Sequence, residues 1–574
     1  MVSQTLASDI LILGSGGAGL FAALHAHKAA PDLSITVAVK GLLGKCGCTR
    51  MVQGGYNVAL AKEDSIERHF MDTIEGGKWL PDQDLAWQLV TLAVERIREL
   101  ENELGCFFDR NADGTVHQKA FAGQSFDRTV HKGDLTGIEI INRLAEQVWA
   151  RDINRLEEHR AVELIKAKDG KSISGVLFIN MRSGEYVFVR ARAVLLATGG
   201  GPTMYKYHTP SGDKSCDGLA MALRAGLPLR DMEMVQFHPT GLLAGPHTRM
   251  TGTVLEEGLR GSGGFLLNGA KERFMPRYDP KAERATRDVV SRAMFSELLK
   301  RNTSPHGGLY ISMAHLGPES VRRQFKGMVE RCADCGFDLA GGLVEVVPTA
   351  HYMMGGVEFR GDCSTELPGL FVAGEDAGGV HGANRLGGNG VANSTVFGAV
   401  AGDVMAAWAR QAHFSEADGA ALDAALGRCE TPFGNPPARR LEPLREKLYD
   451  IMWERVGIIR DAGGLGEAAR ELAALDTQLD SHGLPDHNRA FNLSWHDWMN
   501  LKSLVAVSRA VTAAAIARED SRGAHFRADF PECGPLEQSA FTSLRLKENQ
   551  FLVESKAVRF TRVRPGQTLL ENVA

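Results

Sequence analysis

The apolar positions fall into distinct regimes along the chain. Near the start, the short run ILIL at 10–13 breaks on a cluster of glycines, and LFAALHAHKAA and then SITVAVK follow. A brief apolar run, a glycine turn, a longer apolar stretch and a second brief run read as strand, turn, helix and strand, a βαβ unit over residues 8–40. Helical spacing follows over 82–104 and 134–149. Residues 159–197 read as several strands broken at Asp169-Gly170 and Ser183-Gly184, ending in the buried-strand pattern AVLLATGGG. Mixed strand, loop and helix character fills 236–349, with a helical stretch at 286–301. A second glycine-rich zone, 351–402, contains the short apolar strand LFVAG. Beyond about 410 the glycines thin out and helical patterns dominate at 442–460, 465–480 and 496–519, before a tail of short strands and loops over 534–574. No internal repeat is visible.

A chain of 574 residues exceeds one ordinary domain of roughly 100–200 residues, so several domains are expected, with room for a large buried cofactor. The net charge of -5 gives no electrostatic footprint for nucleic acid. No apolar run reaches the eighteen or so residues needed to cross a bilayer, and the N-terminus lacks the basic start of a signal peptide. Nine cysteines, an odd and scattered set, read as reduced thiols of a cytoplasmic protein. The Cys332–Cys335 pair has CxxC spacing, open to a metal or redox role or to chance; nothing resembles the ligand run of an iron–sulfur protein. The 64 glycines point to tight turns and close approaches between backbone and ligand.

Gly14, Gly16 and Gly19 form GxGxxG directly after a strand and at the opening of a helix. Glycine there allows the tight turn, the approach of a pyrophosphate and close helix–strand packing, and the helix N-terminus supplies amide donors. An acidic residue often closes the second strand to hold ribose hydroxyls, but here that strand ends in Lys40, which favours phosphate. The motif calls for a dinucleotide without naming it.

Further motifs follow in order: QGG at 53–55, FAGQS at 121–125, DRTVHKGDLTG at 127–137, ATGGGPTMY at 197–205 and DGLAMALRAGLPLRDMEMVQFHPTG at 217–241. Then come EEGLRGSGGFLLN at 256–268, RDVVSRA at 287–293, TAHYMMGGV at 349–357, GLFVAGEDAGGVHGANRLGGNG at 369–390 and EDSRGAHFRADFP at 519–531. The series resembles the flavoprotein subunits of succinate dehydrogenases and fumarate reductases, and the related L-aspartate oxidases. The resemblance implies an α/β fold: a Rossmann-like FAD-binding domain over 1–235 and 350–410, an inserted α+β capping domain over 236–349, a helical domain over 411–518 and a C-terminal segment over 519–574. It implies FAD contacts at Gly14, Gly16, Gly17, Ala18, Gly19, Lys40, Thr49, Gly54 and Gly55, at Val162, Thr198, Gly199 and Asp217, and at Glu375, Arg385, Asn389, Gly390 and Val391.

Reduction of a double bond between two carboxylates needs anion clamps, a hydride donor and a proton donor. By the same resemblance, His238, His351 and Arg385 grip substrate carboxylates and Phe121 packs beside the substrate. The planar fork of Arg385 suits bidentate pairing with a carboxylate. Arg287 matches the family's proton donor, resupplied through a relay with Glu257 and Arg260. An arginine is an unusual acid, and neighbouring cations with a developing carbanion favour transient loss of its proton.

Two positions depart from the family. Where a histidine commonly carries FAD covalently, this chain has Cys48, so noncovalent FAD is expected, with a lower flavin potential that favours alkene reduction. Where the family has Thr before its Glu-Gly, this chain has Glu256. An ionised carboxylate only accepts hydrogen bonds and repels a second carboxylate, so Glu256 either turns away, is protonated, or marks a substrate other than fumarate. The leading reading is a fumarate reductase or succinate dehydrogenase-like flavoprotein that acts on a small dicarboxylate. Its electron partner is an iron–sulfur subunit, and partner subunits provide any membrane association. The alternative is a soluble L-aspartate oxidase-like enzyme; a flavin scaffold that has lost its chemistry fits poorly with the intact set of site residues. Purified protein should be yellow, and acid precipitation should leave the colour in the supernatant; colour in the pellet would mean a covalent link.

Overall fold

A computed structural model describes residues 1–570 apart from 122, 247 and 439. Its central sheet has the strand order Asn154–Glu157, Ile35–Val39, Gln4–Leu13, Tyr186–Leu196, Ile173–Asn180 and His159–Lys166, with Leu370–Val372 also paired to Tyr186–Leu196. The first strand is central because both of its neighbours run parallel to it: Leu13 sits opposite Ala38 on one side and Leu196 on the other. Its last four residues, Ile10 to Leu13, are completely or almost completely buried, as a continuous apolar run in a covered parallel sheet requires. The turns read at Asp169-Gly170 and Ser183-Gly184 are present, with φ of 72° at Gly170 and 78° at Gly184.

Two helices dominate the face beside the glycine turn. Gly17–Ala29 follows the turn directly, and the 23-residue helix Asn389–Gln411 lies against it. The second helix was hidden in the glycine-rich zone, where the sequence shows small residues instead of an amphipathic stripe. Those small residues have a packing role: a Cβ at Gly398 would lie 2.6 Å from the Ala18 carbonyl oxygen, and one at Gly402 would lie 2.4 Å from that of Ala22. The helices therefore touch backbone to backbone, and both N-termini reach the same cavity.

The capping domain is built on an antiparallel sheet of Val235–Leu242, Leu343–Met353, Leu309–Ser312 and Phe265–Leu267, with a core that includes Leu242, Leu266, Met294 and Val344. The strand register shifts at Gln236/Phe237 and again between His238 and Gly241. Such bulges re-aim side chains, and these two flank His238. The expected helix at 286–301 is Arg287–Leu299, so Arg287 stands at its first turn.

The C-terminal helical region comprises Glu442–Glu454, Ala462–Asp480 and Leu493–Ala517, and it also includes Gly419–Glu430, which the helical spacing missed. The fully buried Trp495 anchors it, its indole N–H donating to the Cys429 carbonyl at 2.9 Å. The tail forms a hairpin of Ala540–Lys547 and Gln550–Ala557 that adds to Leu229–Arg230 of the FAD-binding domain. No helix among the described residues is long and apolar enough to cross a membrane.

Arg128, fully buried, ties the loop between Tyr56–Asn57 and the helix Ile66–Gly76 to that helix by donating to both Asp64 oxygens at 2.9 and 3.0 Å and to Asp72. Arg128→Met leaves the Asp64 carboxylate buried without its partner, which costs roughly 3–5 kcal/mol. Thermal denaturation should register a midpoint lower by several degrees; an unchanged midpoint contradicts this account.

Candidate active site

The glycine turn opens two adjoining chambers, one of about 510 Å³ and one of about 80 Å³. Gly16, Ala197, Gly199 and Lys214 line both. Gly14 has a φ of 111°, and a Cβ there would stand 2.2 Å from the Ala197 carbonyl oxygen. A Cβ at Gly19 would come within 2.0 Å of the Gly14 carbonyl, so this glycine seats the helix on the turn and does not line either chamber. At the helix start, the Gly17 amide donates to the Thr49 hydroxyl at 3.2 Å.

The smaller chamber is lined by Gly14, Lys40, Thr198 and Asp217. The Lys40 ammonium is engaged by Asp217 and Ser215, each at 2.9 Å, and by Asn500 at 3.3 Å. Asp217 also accepts from Arg160 at 2.7 Å. Burial pushes the Asp217 carboxyl upward, but Arg160 and Lys40 outweigh it and hold it well below the usual range. Lys40 thus meets a carboxylate where the sequence favoured phosphate. Val162 does not line the chamber; its neighbour Ala161 does, and the Val162 carbonyl accepts from Arg224 at 2.9 Å.

The larger chamber takes in Gly17, Ala18, Thr49, Gly54, Gly55, Phe121, Glu375, Gly390 and Val391. Asn389 is buried behind this wall, its side-chain oxygen 2.9 Å from both Asn57 Nδ2 and His69 Nε2. Cys48 also faces the chamber, and burial pushes its thiol up to about 12.

At the far end four nitrogenous side chains converge: His238, His351, Arg287 and Arg385. The Arg385 guanidinium lies 4.5 Å from the Tyr352 ring centroid, and its buried Nε has no hydrogen-bond partner among the described residues. Burial and the nearby Arg287 lower its pKa to about 10. The two histidine rings stand 5.4 Å apart, with His351 Nδ1 2.7 Å from the Thr209 hydroxyl. Burial, reinforced by the surrounding arginines, keeps both imidazoles neutral far below their ordinary range.

Glu257 ties this group together. It accepts from Arg287 NH2 at 2.5 Å, from Arg287 Nε at 3.1 Å and from Arg260 at 2.8 Å. Burial alone would raise its carboxyl, yet Arg287 and Arg260 bring it down to about 2. Arg260 is fully buried and lies outside the chamber wall, donating onward to the Glu283 carbonyl at 2.7 Å. Glu256, next in sequence, behaves differently. It lines the chamber, folds back towards Gly258, and lies 3.8 Å from Lys119, with burial raising its carboxyl.

Several residues at the site escaped the sequence reading. Gln236 bonds Arg287 at 3.0 Å, and Tyr352, Lys214 and Arg331 line the chamber. Gln236 shares a strand with His238 at the two-residue spacing that puts side chains on one face, a usable signal. Arg331 adjoins Cys332 of the CxxC pair, which is buried in the cap core. Lys214 sits in a loop without a motif.

A family model described as an FAD binding domain matches residues 9–391, and one described as the fumarate reductase flavoprotein C-terminal region matches residues 445–569. The chain belongs to the family of fumarate reductase and succinate dehydrogenase flavoproteins, FAD-dependent oxidoreductases acting on CH–CH groups. It is 39% identical over 557 residues to one of the subunits of the CoM/CoB fumarate reductase of Methanothermobacter marburgensis, covering 96% of this chain and 100% of that one. It is 34% identical to the fumarate reductase flavoprotein subunit of Escherichia coli K12, covering 92% of this chain and 89% of that one. Among solved structures, a variant of the E. coli quinol fumarate reductase flavoprotein superposes with a TM-score of 0.92 at 32% identity, covering 98% and 99% of the two chains. Mycobacterium smegmatis Sdh1 superposes with a TM-score of 0.86 at 34% identity, covering 97% and 95%.

The chambers fit FAD. The glycine turn leaves backbone where a Cβ would intrude, a helix N-terminus meets the junction, and the buried Arg385 Nε has no partner among the described residues.

Burial of neutral His351 has a measurable consequence. An unfolded imidazole titrates near 6.5, whereas the folded one stays neutral well below that, so the unfolded chain takes up the proton as pH falls. The stability this group contributes is present above about 6.5 and is lost towards acid. His351→Gln should therefore show a smaller drop in thermal midpoint between pH 7.5 and 5.5 than the parent; parallel curves would contradict the neutral imidazole.

Proposed function

We propose that this chain is the catalytic flavoprotein of a fumarate reductase-type enzyme that adds a hydride and a proton across the double bond of a small dicarboxylate. The observation that carries this reading is the charge of the cluster. Three guanidinium groups (Arg260, Arg287 and Arg385) against one carboxylate, Glu257, leave two positive charges beside two neutral imidazoles. That balance complements a dianion in a water-poor site, where such interactions are strong.

The glycine turn, Thr49, Gly54, Gly55, Glu375 and the start of the helix Asn389–Gln411 would hold FAD, whose chemistry when bound would be hydride donation from N5. Arg385, His238 and His351 bind and orient the two carboxylates, and Phe121 closes one wall against water. Arg287 delivers the proton to the substrate carbon and regains one through Glu257 and Arg260, the carboxylate taking up a proton from Arg260 and passing it on while Arg260 is resupplied from solvent. Glu256, turned towards Lys119, does not set a second negative charge against the substrate, so a dicarboxylate remains acceptable. The buried, protonated thiol of Cys48 supports noncovalent FAD.

The capping domain, taken as 236–349, carries His238, Glu257, Arg260 and Arg287; Arg385 comes from the FAD-binding domain, and His351 stands just past the boundary on the strand Leu343–Met353 of the capping sheet. The absence of cluster-ligand motifs from the sequence supports an electron partner in the form of an iron–sulfur subunit, and nine free thiols support a reducing, cytoplasmic setting. An L-aspartate oxidase-like enzyme is the second reading, favoured by Cys48 in the place of a flavin-linking histidine.

A reduced-dye assay with fumarate and an oxygen-uptake assay with L-aspartate separate the two: turnover of fumarate alone is expected, and oxygen uptake with aspartate would favour the second. Arg287→Ala should lower fumarate turnover roughly 10²–10⁴-fold with FAD still bound; normal turnover would remove Arg287 from the mechanism.

A further inference from the structure

We infer that Gln236 is a positioning residue for the reaction, fixing the Arg287 guanidinium for proton delivery while tying it to the loop that carries Arg385. The inference rests on the reading of Arg287 as proton donor.

Gln236 is 1% exposed and lies on the strand Val235–Leu242, at the first of the two register shifts beside His238. Its Oε1 accepts from Arg287 NH1 at 3.0 Å, and its Nε2 donates to Asn384 Oδ1 at 3.0 Å and to the Arg385 carbonyl at 2.8 Å. These three partners fix the amide orientation: reversed, Nε2 would face a guanidinium donor and Oε1 two acceptors. Glu257 already holds Nε and NH2 of Arg287, so Gln236 completes the set and every nitrogen of the guanidinium is hydrogen-bonded. The side chain cannot swing, and its remaining N–H bonds keep a fixed direction in the chamber.

The amide also achieves this without charge. Arg287 is faced by Glu257, Arg260, Arg385, His238 and His351. A second carboxylate among them would hold the Arg287 proton more tightly and cancel part of the positive field that receives a dianion. A neutral carbonyl orients the donor and leaves that field intact.

Two variants test the assignment, with reduced dye as electron donor and fumarate as acceptor. Gln236→Leu should lower kcat roughly a hundredfold with KM changed by no more than about threefold, because the donor is misplaced and the carboxylate clamps remain. Gln236→Glu should be slow at pH 8 and should gain activity as the pH falls, because a protonated carboxyl restores a neutral acceptor and one donor; the parent should show no such gain. A kcat for Gln236→Leu within twofold of the parent, or a pH profile of Gln236→Glu parallel to the parent's, overturns the proposal. Should the leucine variant lose FAD, the profile of the glutamate variant decides. Arg287→Ala in the same assay separates the two claims. If it is inactive while Gln236→Leu is normal, only the positioning role falls; if it is active, the proton-donor reading falls.

Discussion

The site depends on one buried carboxylate between two buried arginines. Glu257, 3% exposed, is stable as an anion only because Arg287 and Arg260 both donate to it. Removing either partner would leave an uncompensated charge in a medium that cannot solvate it. The same pair restrains the two guanidiniums, which would otherwise repel each other and a third at Arg385. From this arrangement follows the net positive field at the end of the chamber, which reinforces the burial that keeps both histidines neutral.

The fold brings that cluster to the cofactor through backbone contact. Two helices pack at glycines, so their N-termini converge on one cavity, and the glycine turn supplies its floor. The strand Val235–Leu242, whose register shifts twice around His238, brings that histidine to the same cavity.

The sequence made the βαβ cradle legible because glycine spacing, strand and helix lie within about thirty adjacent residues. The helix at Arg287 was legible for a similar reason: local periodicity survives folding. The helix Asn389–Gln411 was not, since a stripe of Gly, Ala and Ser for close packing looks the same as a loop. In the smaller chamber Lys40 pairs with Asp217, 177 positions away, and no local pattern records that pairing.

By itself the sequence determined a glycine cradle for a dinucleotide and, through its resemblance to fumarate reductase flavoproteins, the class of chemistry. Only the tertiary structure decided how each group is used. Glu256 and Glu257 are chemically identical neighbours, yet one is pushed towards neutrality near Lys119 and the other is locked as an anion between arginines. Gln236 acquires its place only through Arg287 and Arg385, 51 and 149 positions away. The reason is that ionisation and hydrogen bonding depend on distance and burial, which exist only once distant parts of the chain have met.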